Sequence, residues 1–217
     1  MIYNHVPAND GPLLVVLPHP GAPLSLEQIQ ERSTKRADGT SIMEVLKSTV
    51  YRDSTGRVMV RGDFREGVEQ SPTPYEELID PVQRFHVVLL VNEKIGYRLV
   101  WSTSKESHFT FFASGQGLLS EKPTVITENL GMREIEGIKC DGLRFIHTTQ
   151  DKPNLLNTTE QWYSDDLRLL GAFVSSFGDE VRTVRIRNVR REEPDPELFV
   201  VPSNYQIIDQ QMINDQH

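Results

Sequence analysis

Cysteine is nearly missing from this chain: Cys140 stands alone among 217 residues. One thiol excludes an intrachain disulfide and any zinc site built from several thiolates. Long apolar runs are also missing. Leu13 to Leu17 is a run of five residues, against the roughly 20 that a membrane helix needs. The stretch from Met1 to Pro12 holds no Lys or Arg, and prolines 18, 20 and 23 interrupt the chain just beyond the run. The pattern of an export signal, a basic start and then about 7–15 apolar residues, is therefore not met. Nor is there a surplus of positive charge: 23 basic residues face 31 acidic ones, a formal net charge of -8. That argues against nonspecific binding to nucleic acid and to anionic lipid surfaces.

Catalytic signatures are equally sparse. No G-x-S-x-G occurs, so the usual nucleophile turn of α/β hydrolases is missing. The six histidines show no H-x-H, H-x-x-x-H or H-E-x-x-H spacing, which removes the common zinc-hydrolase motifs. No βαβ alternation and no repeat of about 20–50 residues runs through the chain, which excludes Rossmann, TIM-barrel, propeller and solenoid folds.

What is present is period-two patterning cut by turns, the mark of antiparallel sheet. A hairpin is expected over 27–52 around Asp38-Gly39, a pair suited to the positive φ angles of a tight hairpin turn. Further strands are expected at 57–64, 75–80, 85–91 and 96–101, then at 125–134, 138–148, 158–164, 168–176 and 180–190. Phe85–Val91 is apolar on both faces apart from His86, so it should be covered on both sides. A helical turn near 193–198 and a final extended segment near 200–208 close the chain. The fold class expected is all-β: about eleven strands in one strongly curved antiparallel sheet, a half-open β-barrel. Residues 101–120 would form a plug loop or short helix over it. The domain division expected is a Pro-rich extended arm over 1–24, the curved-sheet domain over 25–208, and a flexible tail over 209–217.

Several segments together resemble a known group. They are KRADGTSIMEVLKSTVYRDSTGRV (35–58), Asp80-Pro81-Val82, LGMREIEGIKCDGLRF (130–145), Glu160-Gln161-Trp162-Tyr163 and EPDPELFVVPSNY (193–205). In this order they resemble a family of secreted or periplasmic bacterial proteins, of the kind abundant in acidobacteria, over residues 22–208. That family is similar in fold to the outer-membrane lipoprotein carrier (LolA-like) group. The resemblance implies a periplasmic or secreted protein that binds lipid or acyl groups in a half-open barrel. Its motifs are turns and strands and define no active site.

The leading reading is a carrier that buries an apolar small molecule or acyl chain against Phe85, Val87, Leu89, Leu99 and the aromatics Phe109, Phe111 and Phe112. The alternative is a hydrolase of acyl esters or lactones, helped by a carboxylate-bound divalent cation such as calcium. Its catalytic candidates are His147, as general base, and Asp141, although six residues of strand put about 20 Å between them. No metal site is assigned. Asp165-Asp166, Glu192-Glu193 and Asp195 read as turn and helix-end groups, and Asp53-x-x-Gly56 lacks the full EF-hand loop. A third reading pairs a sheet edge with a partner protein. Three structural expectations complete the set. Cys140 is buried and inert, Arg144 needs Glu160 or Asp80 as partner, and Arg182, Arg185, Arg187, Arg190 and Arg191 form the wet face of a strand.

Overall fold

A computed structural model describes residues 15–64, 73–100, 124–148 and 157–210. The expected plug, with Phe109, Phe111 and Phe112, lies outside these residues. The strands are β1 (Leu24–Lys35), β2 (Ser41–Arg52), β3 (Val58–Phe64), β4 (Thr73–Asp80), β5 (Phe85–Leu90) and β6 (Ile95–Val100). They continue as β7 (Thr124–Ile135), β8 (Ile138–Thr148), β9 (Asn157–Ser164), β10 (Leu169–Phe177), β11 (Glu180–Arg190) and β12 (Gln206–Gln210). The eleven expected strands are all present, and the final extended segment supplies the twelfth. Asp209, expected in the frayed tail, is therefore a strand residue, and it pairs with Arg98 at 2.7 Å.

All twelve strands lie in one curved sheet that does not close into a barrel, in the order β12-β6-β5-β4-β3-β2-β1-β11-β10-β9-β8-β7. Two meanders, β1 to β6 and β7 to β11, meet where β1 pairs antiparallel with β11. Period-two patterning reports neighbours across turns and is silent about a contact this distant in sequence. β12 adds to β6 in parallel. Three hairpin turns, 81–84, 91–94 and 165–168, end on a non-glycine residue in the left-handed region: Arg84 (φ 60°), Lys94 (φ 56°) and Arg168 (φ 48°).

Register separates the two faces. Leu26, Val50 and Val60 align across β1, β2 and β3, and Gln30, Val184 and Phe173 align across β1, β11 and β10. These side chains are all buried. The opposite face of the same region stays open, with Val45, Val174 and Val181 exposed by 39%, 40% and 40%. Bending a sheet crowds its inner side, so the first face is the concave one. It holds the main core: Leu24, Leu26, Val50, Val60, Phe173 and Ile186 among others. The outer face buries Ile138, Cys140 and Trp162 in the second meander, and it is covered over the first. There the 3-10 turn Pro196–Phe199 and the segment to Ile207 lie on Met59, Leu78, Val87 and Leu89. Asp195 starts that turn by accepting from the Glu197 N–H at 3.0 Å, and the Arg57 guanidinium lies 4.9 Å from the Phe199 ring centre.

One end of the concave face is closed by the segment after Val15. Val16 bridges to Leu169, Leu170 N–H donates to the Val15 carbonyl at 2.8 Å, and Leu17 N–H donates to the Arg168 carbonyl at 3.0 Å. Arg52, with no exposed surface, fastens this corner. Its guanidinium donates to the carbonyls of Ala22, Leu17 and Leu167 at 2.8, 2.9 and 2.7 Å. Burial lowers its pKa to about 10, which leaves it charged at neutral pH.

Candidate functional site: the concave face of the sheet

The concave face is graded. Its middle is apolar from β5 to β10. Toward the β1–β2 hairpin it turns polar, with Gln28, Gln30, Ser48 and Thr159 all buried. Arg32 and Arg182 stand directly opposite each other on β1 and β11. Arg32 pairs with Glu180 at 2.8 Å, while Arg182 donates to the Gln30 amide oxygen at 2.9 Å. Arg182 thus points to the inner side with Val184 and Ile186, while Arg185 and Arg187 take the outer side, joined across the bulge by Arg190, which stands opposite Ser25. The expected single wet face of this arginine run is corrected accordingly: strand alternation splits residues an odd number apart. Arg185 makes a two-pronged pair with Glu31, at 2.8 and 3.0 Å.

The ligand candidates fall on both sides of the sheet. Leu99 is opposite His86, which is opposite Ile79, and so lies on the concave face. Phe85, Val87 and Leu89 lie on the convex face. Val87 and Leu89 are fully buried with Phe199, and Phe85 packs at the edge of the same cluster. β5 is apolar on both faces, as expected. The pattern could not say which side the chain's own C-terminal segment would occupy.

His147 is buried on the concave face, on the same side of β8 as the half-buried Leu143 and Phe145. Asp141 is exposed, three pleats away along an uninterrupted strand, about 20 Å. The structure does not bring these two together. It brings together a pair that sequence reading missed: His86 Nε2 and Glu77 Oε1, 2.8 Å apart, with side chains 11% and 20% exposed. The signal was the register of the hairpin around 81–84, which places residues nine apart on one face. Nearby Tyr75 is buried, and its phenol pKa lies well above the ordinary value, first through desolvation and then through the charges of Glu77 and Asp63. It stays protonated.

The carboxylates considered for a cation serve turns. Asp53 Oδ1 accepts from the Thr55 and Arg57 N–H groups at 3.0 and 2.9 Å. Glu193 accepts from Ser54 N–H at 3.1 Å. Among the described residues no three His, Cys, Asp or Glu side chains gather as metal ligands would. Arg144 pairs with Glu160 at 3.1 Å, as anticipated, and with Glu128 at 3.0 Å. It is 41% exposed on the convex side, so its pairing is a surface one. Asp80 instead accepts from the Val82 and Gln83 N–H groups at 2.9 and 2.8 Å. Cys140 is buried, and desolvation raises its thiol pKa, which keeps it protonated and unreactive.

No protein-family model and no curated protein matches the sequence. Solved structures do resemble it. The Mycobacterium tuberculosis lipoprotein LppX is 16% identical with a TM-score of 0.36, over 79% of this chain and 88% of that one. A LolA-superfamily protein from Nitrosomonas europaea is 10% identical with a TM-score of 0.37, over 85% of this chain and 92% of that one. The Pseudomonas aeruginosa MucA/MucB complex matches at 12% identity and a TM-score of 0.43, over 85% of this chain and 58% of that one. The Nitrosomonas protein carries the name of the LolA superfamily, the group to which the family resembled by the sequence motifs is similar in fold. Among the described residues no helix is long and apolar enough to cross a membrane.

Proposed function

We propose that the protein is a carrier that holds an apolar or acyl-bearing ligand against the concave face of its open sheet. One observation carries this reading. A buried apolar band runs across the concave side from β5 to β10, and among the described residues no second sheet packs on it. Among the described residues, the chain that joins this cluster from outside the strands and their turns is the segment from Val15 to Ala22. The polar band around Gln28, Gln30, Arg32 and Arg182 borders the apolar one, which suits a ligand with a greasy body and a polar end.

Leu99 keeps the ligand role assigned from sequence, Phe109, Phe111 and Phe112 are proposed with it, and Leu143 and Phe145 join them from the second meander. Phe85, Val87 and Leu89 serve packing under Phe199. Each methylene taken out of water contributes about 0.8 kcal/mol before ordering costs. A periplasmic or secreted setting goes with this reading, and fractionation of cells making the native protein tests it.

The experiment is displacement of a fluorescent fatty-acid probe, with native mass spectrometry for stoichiometry. Long acyl compounds should compete for one saturable site. Leu143→Glu should weaken probe binding about tenfold or more, the effect of charging an acyl-lined wall. Leu89→Ala should lower stability and leave binding unchanged. A protein that binds only short polar compounds, or nothing, is not this carrier.

A further inference from the structure

Among the described residues, strand β7 is the free edge of the sheet at the end away from β12. From Val125 to Glu134 its side chains are exposed, apart from the half-buried Leu130. Ile126 is 52% and Met132 75% exposed. β7 carries no Lys and no Pro, the residues that most often guard an edge. Its one basic residue (Arg133) against two acidic ones (Glu128, Glu134) gives it a charge of -1, a small share of the -8 of the whole chain. An unpaired row of N–H and C=O groups on such a strand is a template for another strand.

A bulge divides β7. The register with β8 jumps between Asn129 and Gly131, Gly131 has φ +77°, and the Asn129 side-chain oxygen accepts from the Gly131 N–H at 2.7 Å. A bulge commonly blunts an edge. Here it also shifts the alternation by one residue. Before it, Ile126 and Glu128 stand opposite Ile146 and Arg144. After it, Gly131, Arg133 and Ile135 stand opposite Gly142, Cys140 and Ile138, which lie on the same side of β8 as Arg144. Ile126, Glu128, Arg133 and Ile135 therefore share the convex face, while Thr127, Asn129, Met132 and Glu134 share the other.

That arrangement is self-complementary. A two-fold axis between Leu130 and Gly131 sets Glu128 against Arg133 of a second copy, twice over, and Ile126 against Ile135. On the other face it sets Thr127 against Glu134. Without the bulge these partners would lie on opposite faces, because each pair is an odd number of residues apart. We infer that β7 is a homodimer edge: two copies of this chain pair antiparallel through β7 about the Leu130–Gly131 bulge. The concave faces of both copies then open to the same side. The interface is isologous, so it closes and does not propagate into a fibre.

Sedimentation equilibrium of the full chain tests this. The wild-type protein should reach twice the monomer mass as its concentration rises through the micromolar range. Arg133→Glu makes the edge acidic and Glu128→Arg makes it basic, so each variant alone should sediment as a monomer. An equimolar mixture should restore the dimer, since opposite charges again face each other. Thr127 is exposed, so changing it leaves the fold alone. Thr127→Lys should tighten association several-fold by facing Glu134, and Thr127→Glu should loosen it. A wild-type monomer at high concentration, single charge variants that still dimerise, or a mixture that stays monomeric would each overturn the inference. Should either charge variant unfold, the Thr127 pair decides, and equal association of Thr127→Lys and Thr127→Glu counts against it.

Discussion

Arg52 and Leu167, 115 residues apart in sequence, are joined by a 2.7 Å hydrogen bond from a guanidinium nitrogen to a backbone carbonyl. The same nitrogen donates to Leu17, and Nε donates to Ala22. Arg52 therefore ties the N-terminal segment, the start of the first meander and the β9–β10 turn into one corner. Its three acceptors are neutral carbonyls and not carboxylates, so what it adds is hydrogen bonding that those carbonyls would otherwise lack.

Arg52→Met keeps much of the stem volume and leaves three buried carbonyls without their donors. The expected cost is about 3 kcal/mol, on the scale of leaving buried acceptors unpaired. In a chain of this size that is a fall of roughly 6–12 °C in melting temperature. Arg52→Lys should recover little of it, since one ammonium cannot reach three divergent carbonyls. Hydrogen exchange should show amides near Val15 to Leu17 opening first. Unchanged protection there would mean that the corner is held by packing alone.

Glu160 supplies the pH-dependent prediction. Its pKa lies below the ordinary glutamate value, first because the Trp162 indole N–H donates to it at 2.8 Å and then because Arg144 does so at 3.1 Å. A depressed carboxylate contributes stability that is present above its unfolded pKa and is lost as pH falls through the folded one. Trp162→Phe keeps a ring and removes the donor. In urea melts the variant should be less stable than wild type by about 1 kcal/mol at neutral pH, the charged hydrogen bond being discounted for partial exposure. The gap should narrow as the solution is acidified past the glutamate range. A gap of constant size across that range would assign the loss to packing.

How much of the fold was legible in the sequence depends on what alternation can report. β8 and β11 run over 138–148 and 180–190, as patterning indicates, because each begins just after a Glu-Gly or Gly-Asp turn. The β1–β11 pairing carried no local signal, since strands so far apart are joined by the closure of the sheet and not by a turn. The site was half legible for a related reason. Alternation sorts Val87 and Leu89 from His86 on β5, but naming the side that faces the hollow requires knowing where Phe199 lands. The Glu77–His86 pair was hidden because the turn between them, 81–84, closes on Arg84 in a left-handed conformation usually signalled by glycine or asparagine.

Gly142 is a glycine because of its neighbour. A Cβ there would lie 2.6, 2.7 and 2.8 Å from three carbons of the Trp162 ring, which is itself held by the Arg133 guanidinium 3.9 Å from its centre. A ring cannot fold out of the way as a methyl can, so Gly142→Ala should cost about 1–3 kcal/mol. In a Trp162→Ala background the same change should be nearly neutral, which gives a coupling energy well above experimental error in a double-mutant cycle. Additive losses would show that the glycine serves the backbone and not the ring.

Gly96 poses the same question with a softer answer. A Cβ there would meet Ile207 Cδ1 at 2.6 Å and Leu89 Cδ2 at 2.7 Å, the far ends of two flexible side chains. Gly96→Ala should therefore cost less than Gly142→Ala. Gly96→Val adds two methyls where β12 lies on β6, and the weakest partner should give way. β12 pairs with a single neighbour over five residues, so its detachment is cheaper than distortion of β5. The expected outcome is faster hydrogen exchange over 198–210 with protection of β4 and β5 retained, and ligand binding on the concave face unaffected. If Gly96→Val instead abolishes probe binding while leaving the C-terminal segment protected, the ligand lies on the convex side of β5, and the assignment of the two faces reverses.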